Sequence, residues 1–447
     1  MMNEPTRFAV AGDRRSFLKV SAAATLLPAW FVEECRSQDK PAPSSSPNER
    51  PHIALIGCGG RGRGIAQEAS RLGNVIAVCD VDNKHAEEAS KQFKGVKVYK
   101  DFRKLLERKD VDAILNGTPD HWHTLVNLAA LKAGKDVYSE KPLTLTIDEG
   151  KRLVAAVRKS GRILQTGSQQ RSDPRFRLVC ELVRNGRLGK LTRITTILPA
   201  GPNRGPLKPA ARPTELNWDF WQGQAPEREY LPERCHLWFR YWLDYSGGTM
   251  TDWGAHHNDI ALWSMGLDRS GPATIEGKVL VKPVAGGFTA PAQYEVEYTY
   301  ANGVRHRCLS TTADTIFGSP EREAKPEALH HGVKFEGTDG WIFVTRGRSE
   351  ASSPELLTRP LSSPKVRLYA SNDHMGNFFD CVRSRKAPVC EAEIGHRSAS
   401  VCHLGVIALR LGRKLKWDAA KEEFTGDREA NGYLAREMRR PWTYDMI

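Results

Sequence analysis

No block of lysine and arginine interleaved with aromatics occurs in this chain of 447 residues, although its formal net charge is +13. The basic residues are scattered with acids among them, which argues against a nucleic-acid partner, since that needs a concentrated positive face. An anionic substrate or surface stays compatible with the charge. Internal repeats and coiled-coil heptads are absent too, which excludes repeat arrays and long helical rods. The nine cysteines are odd in number and show no paired spacing, so no disulfide framework is indicated and free buried thiols are the simpler reading. No second ligand set at metal spacing accompanies the histidines and acids, so no metal is expected. With 40% hydrophobic and 27% charged residues, the composition is that of a soluble globular protein. The length suffices for two domains with sizeable cores and a short appendage.

What is present begins with glycine. Gly57-Cys58-Gly59-Gly60-Arg61-Gly62 directly follows the apolar run Ile53-Ala54-Leu55-Ile56, and Asp80 closes the next such run, residues 75–79. In a strand–loop–helix context the first glycine permits a tight turn and the second lets the backbone approach a pyrophosphate. The third lets the helix pack closely on the strand. Amides at the helix start then face the phosphates. A carboxylate at Asp80 can accept hydrogen bonds from a ribose 2′-hydroxyl and would repel a 2′-phosphate, so NAD is favoured over NADP. An ordinary turn with a surface aspartate would leave three correctly placed glycines unexplained.

The N-terminus carries Arg14-Arg15-Ser16-Phe17-Leu18-Lys19 ahead of a moderately apolar run, residues 20–31, a pattern that resembles a twin-arginine export signal. The alternative is a basic cap on a first core helix. The run is short, however, and a polar Pro/Ser-rich stretch at 37–50 follows it like a linker. No small-x-small cleavage site follows, and Val32-Glu33-Glu34 before Cys35 makes a poor lipoprotein signal. An exported protein is expected, periplasmic or membrane-anchored by an uncleaved segment, with the twin-arginine machinery as its export partner.

From residue 53 to about 167, short β-branched runs alternate with helical stretches. Strands are expected at 111–116, 136–138 and 163–166, and helices at 124–133 and 148–159, as in a doubly wound parallel sheet. Strand ends in such a sheet point at the cofactor crevice, so residues 118–123 and Glu140-Lys141-Pro142 should face it. After Arg171 the texture changes. Strands at 191–198, 273–281, 294–300, 304–310, 333–336 and 341–344 suggest a mostly antiparallel open sheet, with closing helices at 377–383 and 396–411. The organisation read from the sequence is therefore a signal segment and linker at 1–50, an α/β nucleotide-binding domain at 51–170 and an α+β domain at 171–447. The open sheet of the second domain offers a face for a homo-oligomer, dimer or tetramer.

The chemistry-bearing residues cluster at two places. Glu140-Lys141-Pro142 follows a strand of the first domain, and the second supplies Asp252-Trp253-Gly254-Ala255-His256-His257-Asn258-Asp259. Together with the glycine loop these landmarks resemble the Gfo/Idh/MocA family, named for glucose-fructose oxidoreductase, inositol dehydrogenase and a rhizopine-catabolism protein, over essentially everything from Ile53 onward. The resemblance implies an NAD-dependent oxidoreductase acting on CH–OH groups, moving a hydride between a sugar or cyclitol carbon and the nicotinamide. It implies Lys141 as the active-site lysine, Glu140 near the nicotinamide ribose, His256 as acid/base with Asp252 its neighbour, and a candidate cis bond between Lys141 and Pro142. Some relatives are glycosidases that oxidise, eliminate and re-reduce, which is the alternative activity. A non-catalytic sugar-binding protein is a third class.

The residue chemistry stands beside the resemblance. Oxidising a secondary alcohol requires removal of the hydroxyl proton, which an imidazole near neutrality can do while an ammonium stabilises the developing alkoxide. On one helix, Asp252, His256 and Asp259 would share a face and a carboxylate could orient the ring. The cofactor set is Gly57, Gly59, Gly60, Arg61, Gly62, Asp80, Thr118, Pro119, His123, Glu140 and Lys141. His121 and His123 either contact cofactor or sugar, or are satisfied loop histidines. Candidate contacts to a carbohydrate ring are Gln169, Gln170 and Arg171, then Arg240, Tyr241 and Asp244, with His257, the lesser acid/base candidate, counted among them. The Trp-rich stretch 218–242 reads equally as domain core, and His330-His331 reads as loop. An exported enzyme cut off from fresh cofactor would retain its NAD, so tight binding is expected.

Overall fold

The structure, a computed structural model, describes residues 27–38, 50–311 and 331–446. The first domain is a six-stranded sheet in the order β3-β2-β1-β4-β5-β6. Its strands are β1 (His52–Ile56), β2 (Asn74–Cys79), β3 (Lys97–Tyr99), β4 (Ala113–Asn116), β5 (Asp136–Ser139) and β6 (Leu164–Thr166). Every pairing is parallel, and the order reverses beside β1, which opens a crevice at the strand ends. Both faces are covered, so the strands read as continuous apolar runs. Along β1, Ile53 and Leu55 pack with Ile65 and Phe378, while Ala54 and Ile56 pack with Leu125 and Val126 on the other side.

The helix expected at 124–133 begins earlier, spanning Asp120–Lys132 after Pro119 at its N-cap. Helix Ile147–Ser160 starts from a capping box in which Thr146 and Glu149 satisfy each other's backbone amides. A late segment completes this domain: helix His374–Ser384 inserts Met375, Phe378 and Phe379 into the same core as Ile53 and Tyr138, and Trp442 joins the cluster on the opposite face.

The second domain is a nine-stranded sheet in the order β13-β12-β11-β7-β10-β9-β8-β14-β15. The strands are β7 (Leu191–Pro199), β8 (Thr274–Val281), β9 (Gln293–Thr299), β10 (Arg305–Thr311), β11 (Gly332–Gly337), β12 (Gly340–Thr345), β13 (Arg348–Ala351), β14 (Leu415–Asp418) and β15 (Glu423–Phe424). It is antiparallel except where β10 runs parallel to β7. β9 alternates strictly: Tyr294, Val296 and Tyr298 are buried against helix Ala392–Leu411, and Glu295 and Glu297 on the other face pair with Arg307 and Arg305 of β10. The short strands β13, β14 and β15 toward the two ends of the sheet, two to four residues each, carry too little periodicity to read from sequence.

Arg14 and Arg15, most of the apolar run and most of the linker lie outside the described residues. The run's end enters helix Ala29–Gln38, which docks on the second domain through buried Phe31 and Cys35. Trp30 Nε1 donates to the Thr358 carbonyl (2.9 Å), and Glu34 pairs with Arg367 (2.6 Å). Among the described residues no helix is long and apolar enough to cross a membrane. All nine cysteines are free and buried.

Candidate active site

The glycine loop folds around its own backbone. A Cβ on Gly57, whose φ is +88°, would meet the Thr118 nitrogen at 2.5 Å, and one on Gly62 would meet the Gly57 carbonyl oxygen at 1.8 Å. A Cβ on Gly60 would meet nothing within 4 Å, so the loop is closed toward the sheet and open outward, where helix Gly60–Ala69 begins. Asp80 is held from both sides: the Cys58 amide donates to Oδ2 (2.6 Å) and the Asp82 amide to Oδ1 (2.9 Å). Burial raises its carboxyl pKa, against the pull of the Asp82 amide, His85 and the Cys58 amide. Arg61 reaches from the loop to Glu140 (2.7 Å). Thr118 donates through its hydroxyl to Asn116 (2.7 Å). His123 sets one ring nitrogen against the Pro142 carbonyl (2.6 Å) and the other against that of Thr118 (2.9 Å), so it bolts the two loops together. The Lys141–Pro142 peptide is cis.

These residues open on a cavity of about 770 Å³, which every candidate cofactor residue lines and which has the size of a small-molecule site. At its far end the second domain supplies Asp252, His256 and Arg240. Lys141 Nζ donates to the Asp252 main-chain carbonyl (3.0 Å) and to its carboxylate, on which Arg240 Nε also converges (3.4 Å). Burial pulls the Asp252 pKa upward, but Lys141 and Arg240 override it and hold the carboxyl below its ordinary value. His256 is buried and its Nδ1 has no hydrogen-bond partner among the described residues. Burial first, then the positive charges of Lys141 and Arg346, push its pKa well below the usual imidazole value. The ring is neutral at physiological pH, with a lone pair to accept a proton.

The expectation of one shared helical face is corrected. Thr249–Asp252 and Gly254–Met265 are separate helices, and the turn between them tightens to an i→i+3 bond from the His256 amide to the Trp253 carbonyl (3.1 Å). The Asp252 carboxylate therefore serves Lys141, and Asp259 is outside the site. Arg171 is Asp259's partner, with two contacts of 2.7 Å and a third to Asp268 at 3.1 Å. Both are 1% exposed, and Arg171 does not line the cavity. Its charge sits in the interior because it is paired there. Asp244 also lies off the cavity, paired with Arg228 (2.9 Å). His257 is buried beside His331 (3.0 Å between ring nitrogens) and stacks on Trp253 rather than lining the cavity. His121 sets Nε2 against the Trp221 carbonyl (2.9 Å) and does not line the cavity, while its buried Nδ1 has no hydrogen-bond partner among the described residues. Of the candidate ring contacts, Gln169 and Arg240 line the cavity, whereas Gln170, Arg171, Tyr241, Asp244 and His257 do not.

Sequence reasoning missed Arg346, in the turn between β12 and β13, whose guanidinium lies over the Trp253 ring (5.1 Å), and His331, read as loop, which packs on the same ring (4.3 Å). A basic residue in a hairpin turn gives no local signal. The Trp-rich stretch is core: Trp218, Trp221, Tyr230 and Trp242 are buried in one aromatic cluster with Phe288.

Residues 52–168 match the family model described as oxidoreductase family, NAD-binding Rossmann fold, and residues 201–444 match the companion oxidoreductase family, C-terminal alpha/beta domain. The chain belongs to the Gfo/Idh/MocA oxidoreductase family. Its first domain is an NAD-binding Rossmann fold, and the glycine cradle and pre-oriented Asp80 fit that group. Over 154 residues the protein is 34% identical to a myo-inositol 2-dehydrogenase of Thermotoga maritima, covering 34% of this chain and 46% of that one. Over 162 residues it is 34% identical to a glycosyl hydrolase family 109 protein of Shewanella sp. strain ANA-3, covering 31% and 35%. The chain thus spans less than half the length of these two curated relatives. Among solved structures, the WlbA dehydrogenase from Bordetella pertussis, in complex with NADH and UDP-GlcNAcA, superposes with a TM-score of 0.61 at 17% identity, over 83% of this chain and 99% of that one. That likeness establishes the shared fold.

Proposed function

We propose that the protein is a dehydrogenase of sugar or cyclitol hydroxyls that keeps its NAD through turnover, the bound NADH being reoxidised within the same catalytic cycle or by a second substrate that takes the hydride. The observation that carries this reading is the convergence, in one cavity, of the Gly57–Gly62 cradle and Asp80 with the Lys141–Asp252 pair and a neutral His256. Bound NAD supplies the hydride acceptor. The chain's own residues do the rest. His256 takes the hydroxyl proton, and Lys141, held by Asp252, presents its ammonium to the developing alkoxide. Arg240 orients a neighbouring ring hydroxyl. The inositol dehydrogenase relative supports a polyol substrate. A screen of sugars, cyclitols and glycosides against holoprotein, following NADH absorbance, tests it; a set that includes turned-over substrates but gives no NADH overturns it.

A second reading rests on the family 109 relative: a redox-neutral cycle in which a sugar hydroxyl carbon is transiently oxidised, the acidified neighbouring C–H is lost with the glycosidic substituent, and water adds. Aglycone release without net NADH marks that activity in the same screen.

The twin-arginine pattern at Arg14-Arg15 supports export of the folded holoprotein, and export is the reason the cofactor must stay bound. Protein isolated from the native compartment is expected to carry stoichiometric nicotinamide by mass spectrometry. Active protein that arrives empty overturns retention.

A further inference from the structure

The second domain reaches back over the first immediately after Asp80, as well as at Lys141. The Asn217 amide donates to the Val81 carbonyl and the Asn83 amide to the Glu215 carbonyl, both at 3.0 Å, so residues 215–217 clip onto the loop that follows the ribose-reading carboxylate. Val81 packs against the aromatic cluster of Trp218, Trp221 and Phe239. Residues 232–241 cross the same edge. His236 Nε2 lies 3.3 Å from Asp82 Oδ2, and its ring meets that of His85 edge-on, centroids 4.5 Å apart. His85 Nδ1 is in turn 3.8 Å from Asp80 Oδ2. His236 holds a φ of +50°, a left-handed conformation that a non-glycine residue adopts at a cost.

The next residue is the telling one. Leu237 is 61% exposed and lines the cavity, although its segment is anchored by the buried side chains of Cys235 and Phe239. A rigidly carried leucine facing an open cleft presents apolar surface to whatever enters there. The occupant at the Asp80 end of a dinucleotide site is the adenosine half, a flat purine on a ribose diol.

We infer that His236 and Leu237 of the second domain are cofactor-binding residues that close the adenosine end of the cleft, so that NAD is held between both domains and leaves slowly. The inference rests on the cleft's being an NAD site and is independent of which hydroxyl is oxidised. It gives the proposed retention a physical agent: release requires the 232–241 segment to part from Asp82 and His85.

The competing use of these side chains is a metal site, because one ligand atom each from Asp82, His85 and His236 lies within 4.8 Å of the others. Such a site would staple the domains without touching the purine, and the experiment separates the two.

Full-length protein loaded with NADH is mixed with excess NAD, and the decay of bound-nicotinamide fluorescence gives the release rate. His236→Gly removes the imidazole while relieving the positive φ, and Leu237→Ser removes the apolar surface; each is expected to speed release about tenfold or more, the change one apolar contact commonly makes. Both should weaken ADP-ribose and leave nicotinamide mononucleotide unaffected. Thermal melts of nucleotide-free variants matching the wild type establish that the fold is intact. Release within twofold of wild type in both overturns the inference, as does acceleration of wild-type release by a chelator that zinc reverses. Failure of wild-type protein to bind ADP-ribose at all refutes the cleft itself rather than the clasp.

Discussion

Lys141 donates simultaneously to the main-chain carbonyl and the carboxylate of Asp252, 111 residues further along the chain. One ammonium therefore joins the two domains at the reacting centre, and the lysine's position depends on an acid that the other domain provides. A flexible four-carbon side chain held at two points has lost most of its freedom before substrate arrives.

Replacing Lys141 by Ala is expected to lower kcat/KM by about two to four orders of magnitude while NAD still binds, as read by fluorescence titration. Asp252→Asn keeps the carbonyl contact and should lose less, with the deficit mainly in kcat. Near-native turnover in Lys141→Ala would remove it from the catalytic step.

His256→Ala should cost a comparable factor. Because burial and neighbouring cations depress its pKa, the imidazole stays neutral as pH falls below 6.5, and kcat/KM is expected to hold level through pH 6.5 before its acid limb begins. An acid limb centred at 6.5 or above, lost in the variant, would place the proton elsewhere.

Asp80→Ser should weaken NAD relative to NADP by about ten- to a hundredfold, the worth of hydrogen bonds to a charged acceptor. Competition binding measures it directly, and an unchanged preference would mean that another group reads the ribose.

Arg171→Leu leaves the Asp259 charge buried without its main partner. A loss of about 3–5 kcal/mol of stability is expected, visible in urea unfolding, with KM unchanged in whatever fraction folds. A selective rise in KM at native stability would return Arg171 to the substrate.

Stability should fall on the acid side. Burial pushes the pKa of His121 and His306 down to about 3 and of His374 and His403 to about 4. Between pH 6.5 and those values the unfolded chain binds protons that the fold refuses, at about 1.4 kcal/mol per group per pH unit. Their contribution is full above 6.5 and is lost as pH drops toward 4. Glu149, raised by burial to about 7, works in the opposite sense, protonated in the fold and stabilising as pH falls toward 4.5. His236, His256 and His257 shift in the same direction as these four, and Asp80, Asp120 and Glu181 in the same direction as Glu149; seven histidines against four acids predict a melting temperature that declines from pH 6.5 to 4.5, and a flat profile would contradict neutral burial of these rings.

The legible parts of this protein were those encoded locally. The turn from Ile56 through Gly62 carries its function in adjacent residues, and Asp80 is marked by the end of a strand. Lys141 was found as part of a tripeptide at a strand end and His256 through a family landmark. The errors share one physical origin. Whether Arg171 meets a sugar or the interior is decided by Asp259, 88 residues away, and no spacing announces that. His257 follows His256 directly on helix Gly254–Met265, and the helical rotation between them takes one ring to the cavity and the other to His331. Arg346 comes from a hairpin turn, and His236 and Leu237 from a short 3-10 helix, His236–Tyr241, short segments whose place at the cavity is visible only once the domains are docked.

Helix His374–Ser384, which fills the core beneath β1 and β5, is made only after strands β7 to β13 of the second domain. During synthesis the nucleotide-binding half therefore waits, one face uncovered, until that distant helix has left the ribosome. A nucleotide-binding fragment cut at the crossover between the domains would lack part of its own interior.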